Sequence, residues 1–455
     1  MDNTEGGSPT YKRTQLPMSE FTTLLSLHPM ESRRASTPFS PRHSRSMSLS
    51  HTFSPHLQQR FFYISNGGMI ASAFNLTSAT LGAGTLAVPH AVYHSGLLLS
   101  SIVLLVCVIS TVYSVYLLSF VIEVTGNSTY EEMACYCFGQ FFEKVTGFII
   151  VMFCWGVAVV YIVVMADILD SMITSLHLTP YINRRTAVFL FWLFIMLPLC
   201  LTRSINSLRY ASLVCAMSTM VLVGAICTHA IESGTSLKTL PLIKVERDTL
   251  SSFNTFIFSV CCQTVVSKIY SEMKKGSPIK ITTAAALSMG SCSLMYIMAG
   301  AFGAADFGSQ IESNVMHNYT NELDKPYIAI AFLALAVTVT MAFPMTIFPT
   351  RDSVLMVLGF TENENAHVSA IVSTILALLA LILGLVVPNV RVLFDFLGGV
   401  FGGLVSFVFP AMFAMRCGFY KPSAVGWPHT VATITLFFIG IFSCLLGVCT
   451  SFGFV

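Results

Sequence analysis

Beyond residue 66 the chain is a succession of apolar segments, each close to the ~20 residues that carry an α-helix across a hydrocarbon layer. They run over 67–92, 96–121, 144–174, 186–203, 207–230, 251–273, 281–305, 326–348, 367–387, 392–415 and 429–453. In lipid every backbone N–H and C=O must be satisfied by protein or enclosed water, so segments of this kind have to be helices. The expected fold is an all-α polytopic membrane protein of 11 transmembrane helices. Composition agrees: 54% of the residues are hydrophobic and only 10% charged. A soluble domain carries about 25% charged residues. Residues 128–142 read as a short amphipathic stretch lying in the interface.

Residues 1–66 differ in kind, being rich in Ser, Thr, Pro, Arg and His without a long apolar run. Such a tail cannot bury enough apolar surface to fold alone and is expected to be disordered. No cleavable leader is expected in it, and the first membrane helix is expected to act as the targeting signal. Arg33-Arg34-Ala35-Ser36 and the Ser-Pro and Thr-Pro steps at Ser8, Thr37, Ser40 and Ser54 are candidate sites for a kinase. Lysines and arginines concentrate on the side that holds this tail, which puts the amino terminus in the cytosol and, with eleven helices, the carboxyl terminus outside. The net charge of +2 carries no concentrated basic face, so no nucleic-acid partner is expected; the partners are the lipid bilayer and a small solute. Asn318-Tyr319-Thr320 falls in an outer loop and is a candidate glycan acceptor. All 13 cysteines lie in apolar spans or inner loops, which argues against a disulfide framework. Cys135-x-Cys137 has no second ligand pair for a metal, so buried thiols are expected there.

The first apolar segment contains Gly82-Ala83-Gly84 in its middle and Pro89 further on. Glycine costs a helix about 1 kcal/mol and proline about 3. A break at membrane depth frees backbone groups that must meet protein, water or a solute, as in secondary transporters. Five helices later Phe253–Met273 repeats the situation: its apolar first half gives way to a polar centre at Gln263-Thr264. Lys268 and Glu272 follow, four apart on one helix face, and are expected to pair. Helices 1 and 6 hold corresponding places in two groups of five, as an inverted five-plus-five repeat requires. The expected organisation is repeat 1 over 67–230, repeat 2 over 251–415 and an accessory eleventh helix over 429–453. A solute site is expected between the two breaks.

Three segments carry a resemblance to a known family. The first runs from Phe74-Asn75-Leu76 through Gly82-x-Gly84-x-Leu86 to Pro89-His90-Ala91; the second is Ile269-Tyr270-Ser271-Glu272-Met273. The third is Val337-Thr338-Val339-Thr340, followed by Ile347-Phe348-Pro349-Thr350-Arg351-Asp352-Ser353. Together they resemble the amino acid/auxin permeases, which include the sodium-coupled neutral amino acid transporters, and the likeness spans residue 67 to about 455. The resemblance implies the leucine-transporter fold with broken helices 1 and 6, amino acid substrates and alternating access.

On that footing Gly82, Ala83, Gly84 and Thr85 are expected to receive the substrate carboxylate at a positive half-helix end. Carbonyls near Cys261, Cys262, Gln263 and Thr264 are expected to receive the ammonium, with Phe258 and Val260 as candidates for the side-chain pocket. No cofactor is implied beyond a coupling ion, Na⁺ or H⁺. The family's sodium ligands map to Ser78, where an asparagine is usual, with Asn75 on the same helix and Thr338 and Thr340 on the eighth. His90, Asp167 and Asp170 are the candidates for a proton. Asp306 and Glu272 are expected to meet solvent near helix ends, and Arg351 and Asp352 to pair. Two readings thus stand: a symporter of neutral or cationic amino acids, with slight preference for the plasma membrane over a vacuolar or lysosomal one, and an amino acid sensor signalling through its tail. Signatures of intramembrane enzymes, such as Gly-x-Ser-x-Gly or His-Glu-x-x-His, are missing from the sequence.

Overall fold

The structure, a computed structural model, describes residues 68–177, 180–201, 208–273, 276–357, 366–387, 390–419 and 421–452. The chain divides into residues 1–63 and 64–455, and the first unit, with the tail's candidate phosphorylation sites, lies outside the described residues.

The described residues are helical throughout their regular structure. The first membrane segment is two short helices, α1 (Met69–Thr80) and α2 (Gly84–Ser95). Then follow α3 (Leu97–Thr125), the interfacial α4 (Tyr130–Phe138), α5 (Gln140–Ser175), α6 (Arg184–Leu201) and α7 (Leu208–Glu232). The second half repeats the plan with α8 (Arg247–Ser259) and α9 (Gln263–Glu272) as one broken segment. It continues with α10 (Pro278–Phe307), the loop turn α11 (Val315–Asn318), α12 (Pro326–Val357), α13 (Ala366–Val386), α14 (Val390–Arg416) and α15 (Trp427–Ser451). Ten helices among the described residues are long and apolar enough to cross a membrane, and α1 with α2 supplies the eleventh segment. We call the face where α1 begins the inner face and the opposite one the outer face.

Each break forms where the sequence removes helical support. Leu81 closes the last turn of α1 by donating its N–H to Thr77 O at 2.7 Å, then turns extended (φ −73°, ψ 115°). In the second break Val260 and Cys262 leave the helical region with ψ of 7° and 1°, and α9 starts afresh at Gln263. The interruption therefore lies at 260–262, just before the expected Gln263-Thr264 centre. Gln263, the first residue of α9, turns its side chain back onto the break: Oε1 accepts the Cys262 N–H at 2.9 Å.

The two breaks are joined through α10. Tyr296, 0% exposed, donates its hydroxyl to Thr80 O and Ser259 O, both at 2.8 Å. These are the terminal carbonyls of α1 and α8, which a continuous helix would have satisfied itself.

The outer face is closed by the segment between α10 and α12. Asp167, at the outer end of α5, accepts from Arg184 at 2.8 Å and Asn314 at 2.9 Å, and contacts His317 Nε2 at 3.1 Å. Ser171 and Thr320 share a hydrogen bond of 3.0 Å beside them. On the other flank Asp306 contacts His229 Nδ1 at 2.6 Å and accepts from the Tyr319 hydroxyl at 3.2 Å. Asp306 does not meet solvent as the sequence suggested: its side chain is 3% exposed, because the loop folds over it and His229 reaches it from α7. The sequon amide of Asn318 is tied into the same loop, donating to Gln310 O at 2.8 Å and accepting from Glu312 N–H at 3.0 Å.

Two consequences are measurable. Tyr296→Phe leaves two buried carbonyls without their donor, a loss of about 1–3 kcal/mol; a melting temperature lower by several degrees is expected in a thermal-shift assay of the purified protein. The His317 hydrogen bond to Asp167 raises the pKa of this loop histidine above its ordinary value. The contact therefore stabilises the loop fully below the ordinary histidine pKa and loses that contribution as pH rises through the raised one. Hydrogen exchange at residues 312–320 should accelerate across that window, and His317→Gln should remove the pH dependence.

Candidate functional site

At the level of the breaks the helices enclose a cavity of roughly 80 Å³. Its walls are Ser78–Thr80 and Gly82–Gly84 from the first break, and Phe258, Cys261, Cys262, Thr264 and Val265 from the second. Phe153, Cys154, Val157 and Tyr161 on α5 and Ala342, Met345, Thr346 and Pro349 on α12 complete it. No Asp, Glu, Lys, Arg or His lines it among the described residues. The cavity runs toward the inner face, since Met345–Pro349 belong to the inner half of α12.

Glycine is required at two of these positions by contact. A Cβ on Gly84 would stand 2.6 Å from Ser259 Oγ and 2.9 Å from Ser259 Cα, so the second broken segment packs directly on the first. A Cβ on Gly82 would stand 2.9 Å from the Tyr161 hydroxyl, which thus lies against the exposed backbone of the break. Backbone bonds resume only with Thr85 N–H to Gly82 O and Leu86 N–H to Ala83 O, both at 3.1 Å. The amides of Gly82, Ala83 and Gly84 consequently fall in the gap between two helical ladders, at the positive end of α2. The facing gap holds the carbonyls of Val260 and Cys261.

The structure brings together at the cavity seven of the residues expected from sequence: Ser78, Gly82, Ala83, Gly84, Cys261, Cys262 and Thr264. Phe258 also lines it, whereas Val260 is buried behind the break. Thr85 is buried beside the Tyr296 hydroxyl, and it is not part of the wall. Gln263 is buried as well; its Oε1 takes the Cys262 N–H and lies 3.0 Å from Ser406 Oγ on α14, which makes it a clasp between helices. Lys268 and Glu272 form no ion pair within 4 Å and are exposed at the inner end of α9; their neighbour Tyr270 instead donates to Glu123 on α3 at 2.8 Å. Arg351 and Asp352 do pair, at 2.8 Å.

The coupling candidates separate into three places. Ser78 is buried beside the Cys215 thiol of α7, and its hydroxyl makes no hydrogen bond to nitrogen or oxygen. The same thiol reaches Thr338 O at 3.8 Å. Thr338 and Thr340 turn their hydroxyls back onto Ala334 O (3.0 Å) and Ala336 O (2.7 Å), and Asn75 is half-buried on α1 away from the cavity. His90 lies nearer the outer face, its ring tilted 45° to that of His94 with centroids 4.4 Å apart, where only about 10 Å³ of space remains between α2, α8 and α14. Asp167 belongs to the outer clamp, and Asp170 is half-buried one turn beyond it on α5. Sequence reasoning passed over Asp395, buried at the outer part of α14, which accepts from Ser251 of α8 at 2.5 Å. Ser251 also lies 3.4 Å from Arg391 Nε, and Arg391 pairs with Asp248. Sequence also missed Tyr161 and Tyr296; each is one aromatic among many in an apolar run, and nothing in the spacing marks which ones face the breaks.

The family model described as "Transmembrane amino acid transporter protein" matches residues 65–452. A vacuolar amino acid transporter 5 of Schizosaccharomyces pombe is 25% identical over 358 residues, covering 76% of this chain and 84% of that protein. Among solved structures, MhsT in complex with L-phenylalanine superposes with a TM-score of 0.59 at 13% identity, covering 84% of this chain and 98% of that one. Mhp1, a nucleobase-cation-symport-1 family transporter in a closed conformation with bound bromovinylhydantoin, gives a TM-score of 0.56 at 15% identity, covering 84% and 91%. Both superpositions fix the fold, the leucine-transporter type with its two broken segments.

Gly84→Ala tests whether the contact of the breaks matters. The added methyl meets Ser259 main chain as well as a movable hydroxyl, so the helices must separate at the wall of the cavity. Solute uptake reduced at least tenfold, with normal amounts of protein in the membrane, is the expected result in a cell-based flux assay.

Proposed function

The chain belongs to the transmembrane amino acid transporter family, and on that premise we propose that it carries neutral amino acids by alternating access through the cavity between its two breaks. The observation that carries this reading is the pairing of two facing backbone gaps with an uncharged wall. A zwitterion needs an anion site, a cation site and room for its side chain. The amides at Gly82–Gly84 and the amino-terminal end of α2 suit the carboxylate. The carbonyls at Val260 and Cys261 suit the ammonium. Phe153, Val157, Phe258 and Met345 offer an apolar surface for the remaining side chain. A lysine or arginine side chain would lie in this wall without a counter-charge, at a cost of several kcal/mol. MhsT holding L-phenylalanine, a neutral amino acid, supports the same choice.

The coupling ion we propose is the proton. A hard cation such as Na⁺ seeks several oxygen ligands, and around Ser78 the neighbour from α7 is a thiol, a soft donor. Of the seven described histidines, His90, His94, His177, His229 and His317 lie toward the outer face, and His367 and His429 at the inner ends of α13 and α15. Histidine is the side chain that changes charge between pH 5 and 8, so we place the proton-rich compartment on that side and the cytosol at the inner face. The relative named as vacuolar accords with an acidic compartment there.

Purified protein in liposomes, loaded with each radiolabelled amino acid in turn, tests the whole reading. Saturable flux competed by small neutral amino acids, untouched by lysine and arginine, is expected. Replacing sodium by choline should leave it unchanged, and a protonophore should remove accumulation. Sodium dependence would overturn the coupling, and competition by lysine would overturn the neutral pocket.

A further inference from the structure

The interfacial helix α4 is fastened across the inner ends of the long helices. A capping box of Thr129 and Glu132 starts it. From its buried side Tyr130 donates to Val405 O of α14 at 3.1 Å, and Glu131 accepts from Ser353 Oγ of α12 at 2.6 Å. At its far end Arg416 Nε donates to Cys137 O at 3.0 Å, while Phe138 packs on Phe413 with ring centroids 6.4 Å apart. The carboxyl-terminal turn of α14 therefore sits directly on the last turn of α4. Cys417, the residue that ends α14, follows Arg416 directly, and Arg416 is bonded to the Cys137 carbonyl, so the two thiols are brought beside each other. Among the described cysteines this is the one such pair. Cys135 does not share it: two helical residues differ by roughly 200° in direction, and the Cys135 thiol interacts with Glu143 instead.

The two thiols are not equivalent. Cys137 is 5% exposed, whereas Cys417 is only partly covered. Their mutual hydrogen bond pushes the Cys137 thiol up and the Cys417 thiol down, and the Arg416 guanidinium favours the thiolate of Cys417 further. A partly exposed thiol beside an arginine and a second thiol is the arrangement of an oxidisable dithiol.

We propose that Cys137 and Cys417 form a reversible disulfide that senses peroxide and slows transport by stapling α4 to α14. The Cys417 sulfur, giving up its thiol proton, attacks one oxygen of hydrogen peroxide; the O–O bond breaks and the released hydroxide takes up that proton and leaves as water, giving a sulfenic acid. The Cys137 sulfur then attacks that sulfenic sulfur, an S–S bond replaces the S–O bond, and a second water carries off the hydroxyl with the Cys137 proton. Two thiols thus supply the two electrons that reduce one peroxide. Exchange with a small thiol of the glutathione class restores the dithiol, as expected on a cytosolic face, where disulfides are transient and regulatory. The bond fixes α4, which also holds the inner end of α12 through Glu131 and Ser353; α12 supplies Met345, Thr346 and Pro349 to the cavity wall. The effect on flux rests on the transport reading above, whereas the chemistry of the pair does not.

The test uses the full chain in liposomes, treated with graded hydrogen peroxide, alkylated, digested without reductant and analysed by mass spectrometry. A peptide linked through Cys137 and Cys417, removed by dithiothreitol, lost in Cys137→Ser and in Cys417→Ser but retained in Cys135→Ser, is the expected result. Amino acid flux should fall several-fold on oxidation of the native protein and remain unchanged in the two serine variants. Free thiols at both positions under peroxide that oxidises a control dithiol would overturn the site. A linked peptide with unaltered flux would overturn the switch. Should the protein carry no amino acid at all, the linked peptide still decides the chemistry.

Discussion

The hydroxyl of Tyr296 holds the structure's centre together. Interrupting a helix inside a membrane leaves carbonyls with nothing to accept from, and in hydrocarbon that deficit costs several kcal/mol per group. One buried phenol from α10 lies 2.8 Å from both Thr80 O and Ser259 O and shares its single proton between them. Because both carbonyls turn to one oxygen, the ends of α1 and α8 must converge on the same point. Gly84 then lies against Ser259, and the two backbone gaps face a common space. The cavity, its uncharged wall and its position between α5 and α12 follow from that convergence.

Charge is distributed accordingly. The cavity wall carries none among the described residues, whereas the outer face is dense with carboxylates, histidines and arginines. A small zwitterion can be held by backbone dipoles because helix ends present partial charges that are fixed in place and already desolvated. Full side-chain charges at the same depth would need partners of their own. Backbone recognition also explains why cysteine, threonine and glycine are acceptable wall residues: the wall excludes water while the main chain does the recognising.

The sequence made the scaffold legible and left the facing of side chains obscure. Eleven apolar runs and the Gly82-x-Gly84 interruption announced spans and a first break, because helix cost and bilayer thickness act on local sequence alone. The second break was displaced by a few residues from its expected centre, since Gln263 looks polar and helix-breaking until its amide is seen capping Cys262 and meeting Ser406 from a distant helix. Asp306, taken for a solvent-facing end, is buried because His229 and Tyr319 arrive from elsewhere in the chain. Lys268 and Glu272 have ideal spacing, yet both face solvent at the inner end of α9, where such a pair gains little. Tyr161 and Tyr296 were invisible for a related reason: a uniformly apolar helix has no amphipathic signal to say which residue points where.

The outer closure is built from contacts of unequal strength, and this determines where it parts. The carboxylates of Asp306 and Asp167 are buried, although Arg184 and His317 themselves reach solvent, and parting these acids from His229 or from Arg184, Asn314 and His317 strands a desolvated charge. These contacts tie the loop around α11 to α5, α7 and α10. Between α2, α8 and α14 the pairs are of another kind: Arg391 with Asp248, and His94 with Asp248 and Glu246, are all partly open to solvent. Water screens and replaces pairs of that sort at small cost. The weaker attachment of the outer closure therefore lies beside His90, around the small space bounded by Ser251, Arg391 and Phe394.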